Sequence, residues 1–228
     1  MAKTESKPDS PTKFAENLLV RGLIVLGVLF LVTQFQGKRS SSPLLNSSAR
    51  GADAPLVMQG GDPYIRALMR TISASESNVS NPYSVVYGGE RISDLRQHPD
   101  RCITIVAGPN IGDCTTAAGR YQFITTTWLS KARRYHPSPY GFMVWSGYSF
   151  EPEYQDEVVY RWLNDRVAWG DDVRQLLKDG KIHTVLEMLS GTWTSLGYGI
   201  EDNSMSSELP RVYQRVLREE LKQTASRS

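Results

Sequence analysis

Three regimes of hydrophobic patterning follow one another along the chain. Leu18 to Phe35, LLVRGLIVLGVLFLVTQF, is apolar on every side apart from Arg21 and a polar end. A bilayer is spanned by roughly 20 mostly apolar residues, so residues 18–36 are expected to form one transmembrane helix. Arg21 lies close enough to one end to snorkel to the interface. The alternatives are a cleaved signal peptide, which would need a small-residue cleavage site that QFQGKRSSS does not offer, and a buried core helix. Residues 1–17 form a short tail before the span. Residues 37–61, GKRSSSPLLNSSARGADAPLVMQGG, fill with Ser, Gly, Ala and Pro and predict a flexible tether.

From Asp62 the pattern becomes that of a folded domain, expected over residues 62–224. Asp62 and Pro63 suit a helix start, as N-cap and first helical residue. Ile65, Leu68, Met69 and Ile72 then recur at helical spacing on one face, and the helix is expected to run to about Glu76. NVSNPYSVVYGGE and RCITIVAGPNIGDC are short β-prone runs broken by turn residues, which predicts a small hairpin region. Helical patterns follow in QFITTTWLSKARRY, PEYQDEVVYRWLNDRV, DDVRQLLKDG, KIHTVLEMLS and SSELPRVYQRVLREELK. The fold class is therefore α+β, mostly helical with a minor hairpin.

Charge divides the chain at the same place. The 228 residues carry a net charge of +2, yet residues 1–61 hold +3 and residues 62–228 hold −1 together with all five Trp and all 11 Tyr. Such a balance gives no electrostatic footprint for nucleic acid. Two Cys exclude a disulfide-dense scaffold and a multi-zinc protein. His98, His136 and His183 show no metal spacing and are read as surface or packing residues. No phosphate-binding Gly loop or nucleophile elbow is present, so neither metal nor cofactor is expected.

Candidate chemistry lies in three segments. Glu76, in SASESN, ends the first helix beside a loop, where a carboxyl can be both desolvated and within reach of a ligand, as a general acid needs; an ordinary surface Glu fits that segment too. AAGRYQFITTTW, Ala117 to Trp128, places Tyr121 and Gln122 after a Gly that permits close backbone approach. WTSLGYGIED, Trp193 to Asp202, sets Tyr198 between glycines in a loop, where an aromatic ring suits a sugar face or simply packs the loop. Cys102 and Cys114 flank the hairpin turn and are read either as a disulfide or as two buried thiols.

Taken in order, Ser75-Glu76-Ser77, VVYGGERISDLRQHP (Val85 to Pro99), AAGRYQF, the Gln155-Asp156 helix and WTSLGYG resemble the lambda-type lysozyme family, glycoside hydrolase family 104. The resemblance covers most of Pro63 to Lys222, and the VYGGE…D…HP run is its most specific part. It implies a lysozyme-like fold and a lytic transglycosylase that cleaves the MurNAc-β-1,4-GlcNAc bond of peptidoglycan glycan strands. Glu76 is implied to be the single catalytic acid. Tyr121, Gln122 and Tyr198 are implied groove residues, and Ser77 is similar to the Ser beside the acid in related lytic transglycosylases. The chain departs from the family pattern in its N-terminal apolar segment and in a shorter loop before Tyr198. Glu90, Asp94 and Asp113 are the candidate second carboxylates for a hydrolytic variant, as two-carboxylate glycosidases require.

The substrate implies the topology. Peptidoglycan lies outside the cytoplasmic membrane, so a single-pass protein with its N-terminus inside and its domain on the wall side is expected, anchored by residues 18–36. The alternatives are a hydrolytic lysozyme using the same Glu, a non-catalytic peptidoglycan-binding component of an envelope-spanning assembly, and a lytic effector stored in the cytoplasm.

Overall fold

The computed structural model describes residues 54–106, 110–137, 147–199 and 205–226. The tail, the apolar segment 18–36 and most of the tether lie outside the described residues, and among the described residues no helix is long and apolar enough to cross a membrane. Among the described residues, seven α-helices and one small hairpin, with short 3-10 turns besides, make up the regular structure: α1 (Pro63–Glu76), β1 (Ile103–Thr104), β2 (Cys114–Thr115), α2 (Thr125–Tyr135), α3 (Pro152–Leu163), α4 (Arg166–Trp169), α5 (Val173–Lys178), α6 (Ile182–Ser190) and α7 (Leu209–Ala225). The α+β reading holds, with helices dominating.

Helix α1 organises the core. Asp62 caps it, its carboxylate accepting from the N–H groups of Tyr64 and Ile65 at 2.9 and 3.4 Å, with Pro63 in the first turn. Ile65, Leu68, Met69 and Ile72 are fully buried. The single apolar face read from the sequence understates this helix, because every residue from Ile65 to Glu76 is buried. Its polar side is closed by α7. Glu220 bonds Arg66 Nε at 2.6 Å and Arg70 Nη1 at 3.0 Å, and Glu219 takes Arg70 Nη2 at 2.6 Å. Two Arg side chains can be buried there because these carboxylates accept from them, helped at Arg66 by the carbonyls of Met58 and Gly60 at 3.1 and 2.9 Å.

Two expectations change in the structure. The Val85–Tyr87 segment, read as β-prone, forms no strand. Val85 and Val86 lie between two 3-10 turns, the second of which starts at Tyr87, and make only isolated bridges, Val85 to Arg91 and Val86 to Ala118. Gly88 and Gly89, at φ 82° and 90°, turn the backbone into the left-handed region just where a strand would have to continue. The domain also begins earlier than Asp62. Residues 54–61, the end of the predicted tether, lie against it, with Leu56 and Met58 only 6% and 2% exposed. Two apolar side chains in a Gly-rich, polar stretch are enough to dock it.

The hairpin is two residues per strand, pairing Ile103 with Thr115 and Thr104 with Cys114. Cys102 and Cys114 are joined by a disulfide across it. So short a ladder has little stability of its own, and the cross-link supplies what the ladder lacks. Cys102→Ser is expected to lower the stability of the domain by about 2–4 kcal/mol. Denaturant unfolding of both forms, with and without reductant, checks this: reductant should shift the parent protein and leave the variant unmoved.

Candidate active site

Glu76 is the last residue of α1. Ser77 leaves the helix at φ −146°, with its N–H still bonded to Ser73 O at 2.9 Å. The Glu76 side chain is 0% exposed. Its Oε1 accepts a short hydrogen bond from Ser195 Oγ, which also lies 3.1 Å from Ser75 Oγ. Ser195 belongs to a 3-10 turn over Thr194–Leu196 that ends at Gly197, φ 94°. The turn brings the WTSLGYG segment onto the end of α1.

The AAGRYQF segment forms the second neighbour. Gly119 sits at φ 74°, and a side chain there would bring Cβ within 2.7 Å of Phe150 Cζ, so only glycine fits. The close approach lets Gln155 Oε1 accept from Arg120 N–H at 2.8 Å. Gln155 also donates to Phe150 O and Tyr83 O. Two carbonyls of the turn face the acid's neighbours: Arg120 O accepts from Ser77 Oγ at 2.7 Å, and Tyr121 O accepts from Trp193 Nε1 at 3.2 Å. Glu76 is thereby held between two segments more than 70 residues apart in sequence.

Behind that turn lies a buried polar hub. Asp156 accepts from the hydroxyls of Tyr83 and Tyr121, each at 2.7 Å, and from the N–H groups of Val57 and Met58 at 2.8 and 3.2 Å. Arg120 donates to Tyr83 Oη at 2.9 Å and to the carbonyls of Pro55 and Ala54 at 3.2 and 2.6 Å. Burial pushes the Asp156 carboxyl up, against the opposing pull of the Arg120 charge and the two phenol donors. Burial, followed by the Asp156 charge, holds the Tyr121 phenol well above its ordinary range.

The residues expected to line the groove separate in the structure. Tyr121 is 0% exposed, and its hydroxyl donates to Asp156 on the far side of the turn. Ser77 is 1% exposed and ties the end of α1 to the turn, again without an open hydroxyl. Gln122 is 2% exposed at φ 45°, its amide nitrogen bonded to Gly119 O at 2.9 Å. Its Oε1 has no hydrogen-bond partner among the described residues. Tyr198 is the accessible one: 41% exposed, φ 62°, with its hydroxyl 3.3 Å from His183 Nδ1. Ser195 escaped the sequence reading because a hydroxyl in a loop carries no pattern, although its segment was singled out.

Glu90 and Asp94 are exposed and pair with Arg101 and Arg96, whose hydrogen bonds hold both carboxyls below the usual range. Asp113 is exposed on the hairpin. A cavity of about 750 Å³ opens along the Arg91–Arg101 stretch, lined by Arg91, Asp94, Arg96, His98 and Arg101 and not by Glu76. His98 packs inward, its Nε2 lying 2.7 Å from Phe123 O, and burial pulls its pKa down. Among the described residues no group of His, Cys, Asp and Glu is placed to hold a metal ion.

A family model described as Endolysin matches residues 66–218. The Endolysin of Escherichia phage lambda is 26% identical over 132 residues, 57% of this chain and 72% of that protein. Two solved structures share the fold at a TM-score of 0.50, each covering 70% of this chain and 97% of its own. They are the bacteriophage lambda lysozyme complexed with a chitohexasaccharide, 23% identical, and the lysozyme from bacteriophage lambda, 21% identical.

Proposed function

The chain belongs to the Endolysin family, and from that premise we propose that it is a membrane-anchored muramidase that cuts peptidoglycan glycan strands as a lytic transglycosylase, with Glu76 as its single catalytic residue. Family membership makes it a lysozyme-like glycosidase. The observation that supports the finer reading is a buried carboxyl at the end of α1, held by the Ser195 hydroxyl, with no second carboxyl beside it among the described residues that bond it. The candidate second carboxylates are all exposed, two of them in ion pairs.

One carboxyl suffices for this chemistry. Glu76 gives its proton to the glycosidic oxygen as the bond to the MurNAc anomeric carbon breaks. The resulting carboxylate takes the proton from the C6 hydroxyl of the same sugar, whose oxygen attacks that carbon. A 1,6-anhydro ring forms, Glu76 regains its proton, and no water is consumed. Intramolecular attack gains from proximity. Because Glu76 is wholly buried, an arriving strand must displace the cover that the Thr194–Leu196 turn contributes. Tyr198, exposed in the same segment, is proposed to meet the sugar first, and Gln122 Oε1 to accept from a sugar hydroxyl once the cover opens.

Anchoring rests on the apolar run 18–36 and on the location of the polymer outside the cytoplasmic membrane. The Cys102–Cys114 disulfide suits an oxidising compartment on the wall side. Product analysis on purified sacculi tests the reaction. Anhydro-muramic ends are expected; reducing ends without them would identify a hydrolase, and no cleavage at all would identify a binding component.

A further inference from the structure

We infer that Arg120 and Asp156 are positioning residues for Glu76, and that they act only while residues 54–58 are docked on them. The inference rests on Glu76 being the acid. Arg120 and Asp156 are both 0% exposed and side chains from the folded domain satisfy them only in part. The docked segment supplies further partners to both. The Ala54 and Pro55 carbonyls accept from the guanidinium, and the Val57 and Met58 N–H groups donate to the carboxylate. Leu56 and Met58 bury their side chains between these polar contacts. Four main-chain groups of a five-residue segment therefore serve one buried charge centre, in which only Arg120 Nε is left without a hydrogen bond among the described residues.

That centre is wired to the acid through a single dipeptide. The side chains of Arg120 and Tyr121 run into the hub, and their two carbonyls hold Ser77 and Trp193. Ser77 follows Glu76 in the chain, and Trp193 precedes by two residues the Ser195 that bonds it. A buried charge deprived of its partners moves or admits water. With residues 54–58 undocked, Arg120 and Asp156 must shift, and the Arg120-Tyr121 carbonyls shift with them. Both anchors of Glu76 then lose their registration. The segment lies at the junction of tether and domain, so the state of the tether is transmitted to the site.

The test uses the full-length chain with residues 54–58 replaced by glycine and serine. Turnover on sacculi is expected to fall between about tenfold and 100-fold, in kcat rather than KM, because misplacement and not binding is affected. The variant should still unfold cooperatively, with an altered indole emission from Trp193. A synthetic peptide of residues 54–61, added in trans, should restore kcat saturably. Full turnover in the variant overturns the inference, and so does a loss that the peptide leaves unrestored. If the replaced chain does not fold, Val57→Pro removes one N–H donor to Asp156; an unchanged kcat in that variant overturns it equally. Retained activity in Glu76→Gln would instead defeat the assignment of the acid, whatever the segment does.

Discussion

Glu76→Gln is expected to reduce cleavage of peptidoglycan by about 100-fold to 10,000-fold, the usual contribution of a positioned proton donor. The substitution is nearly isosteric and keeps an oxygen that can accept from Ser195 Oγ, so the packing at the end of α1 survives. What is lost is the proton itself. A Gln amide cannot protonate the glycosidic oxygen, and it cannot take the C6 proton afterwards, so both halves of the reaction fail together. Zymography with sacculi, beside thermal unfolding of the same preparation, separates chemistry from folding. Activity within tenfold of the parent in a folded variant would remove Glu76 from the mechanism.

The largest expected effect on stability lies at the other end of the molecule. Glu220→Ala should cost about 3–5 kcal/mol, because it removes the carboxylate that Arg66 and Arg70 share in the interior. Glu219→Ala, on a side chain that is 44% exposed, should cost less than about 1 kcal/mol, since water takes over much of the role of an exposed partner. Urea unfolding of the two variants makes the comparison directly. Similar losses at both positions would mean that the α1–α7 contact is held by its apolar residues and not by the buried carboxylate.

Much of the framework was legible because its signals are local. Asp62 and Pro63 mark the start of α1, the spacing of four apolar residues carries it to about Glu76, and the helix ends at that residue. The helical patterns after Tyr121 reappear as α2 to α7, although one of them is split in two where Asp165 caps the four-residue α4. The site was legible only in part. Tyr121 was read as able to hydrogen-bond a ligand, and the resemblance implied a groove residue, but whether its hydroxyl faces a cleft or Asp156 depends on a partner 35 residues away. The docking of residues 54–58 was hidden for the same reason: Asp156 reaches Val57 across 99 residues, and composition alone marks that stretch as linker. Contacts of high sequence separation leave no periodicity to read.

The α1–α7 clamp has a consequence in time. Arg66 and Arg70 wait for Glu219 and Glu220, some 150 positions later. During vectorial synthesis the helix that carries the acid therefore emerges first and is completed last. Every nascent chain that still lacks α7 lacks the counter-charge for two arginines of that helix. Until α7 has been made, α1 therefore lacks the carboxylates that accept from its two buried arginines.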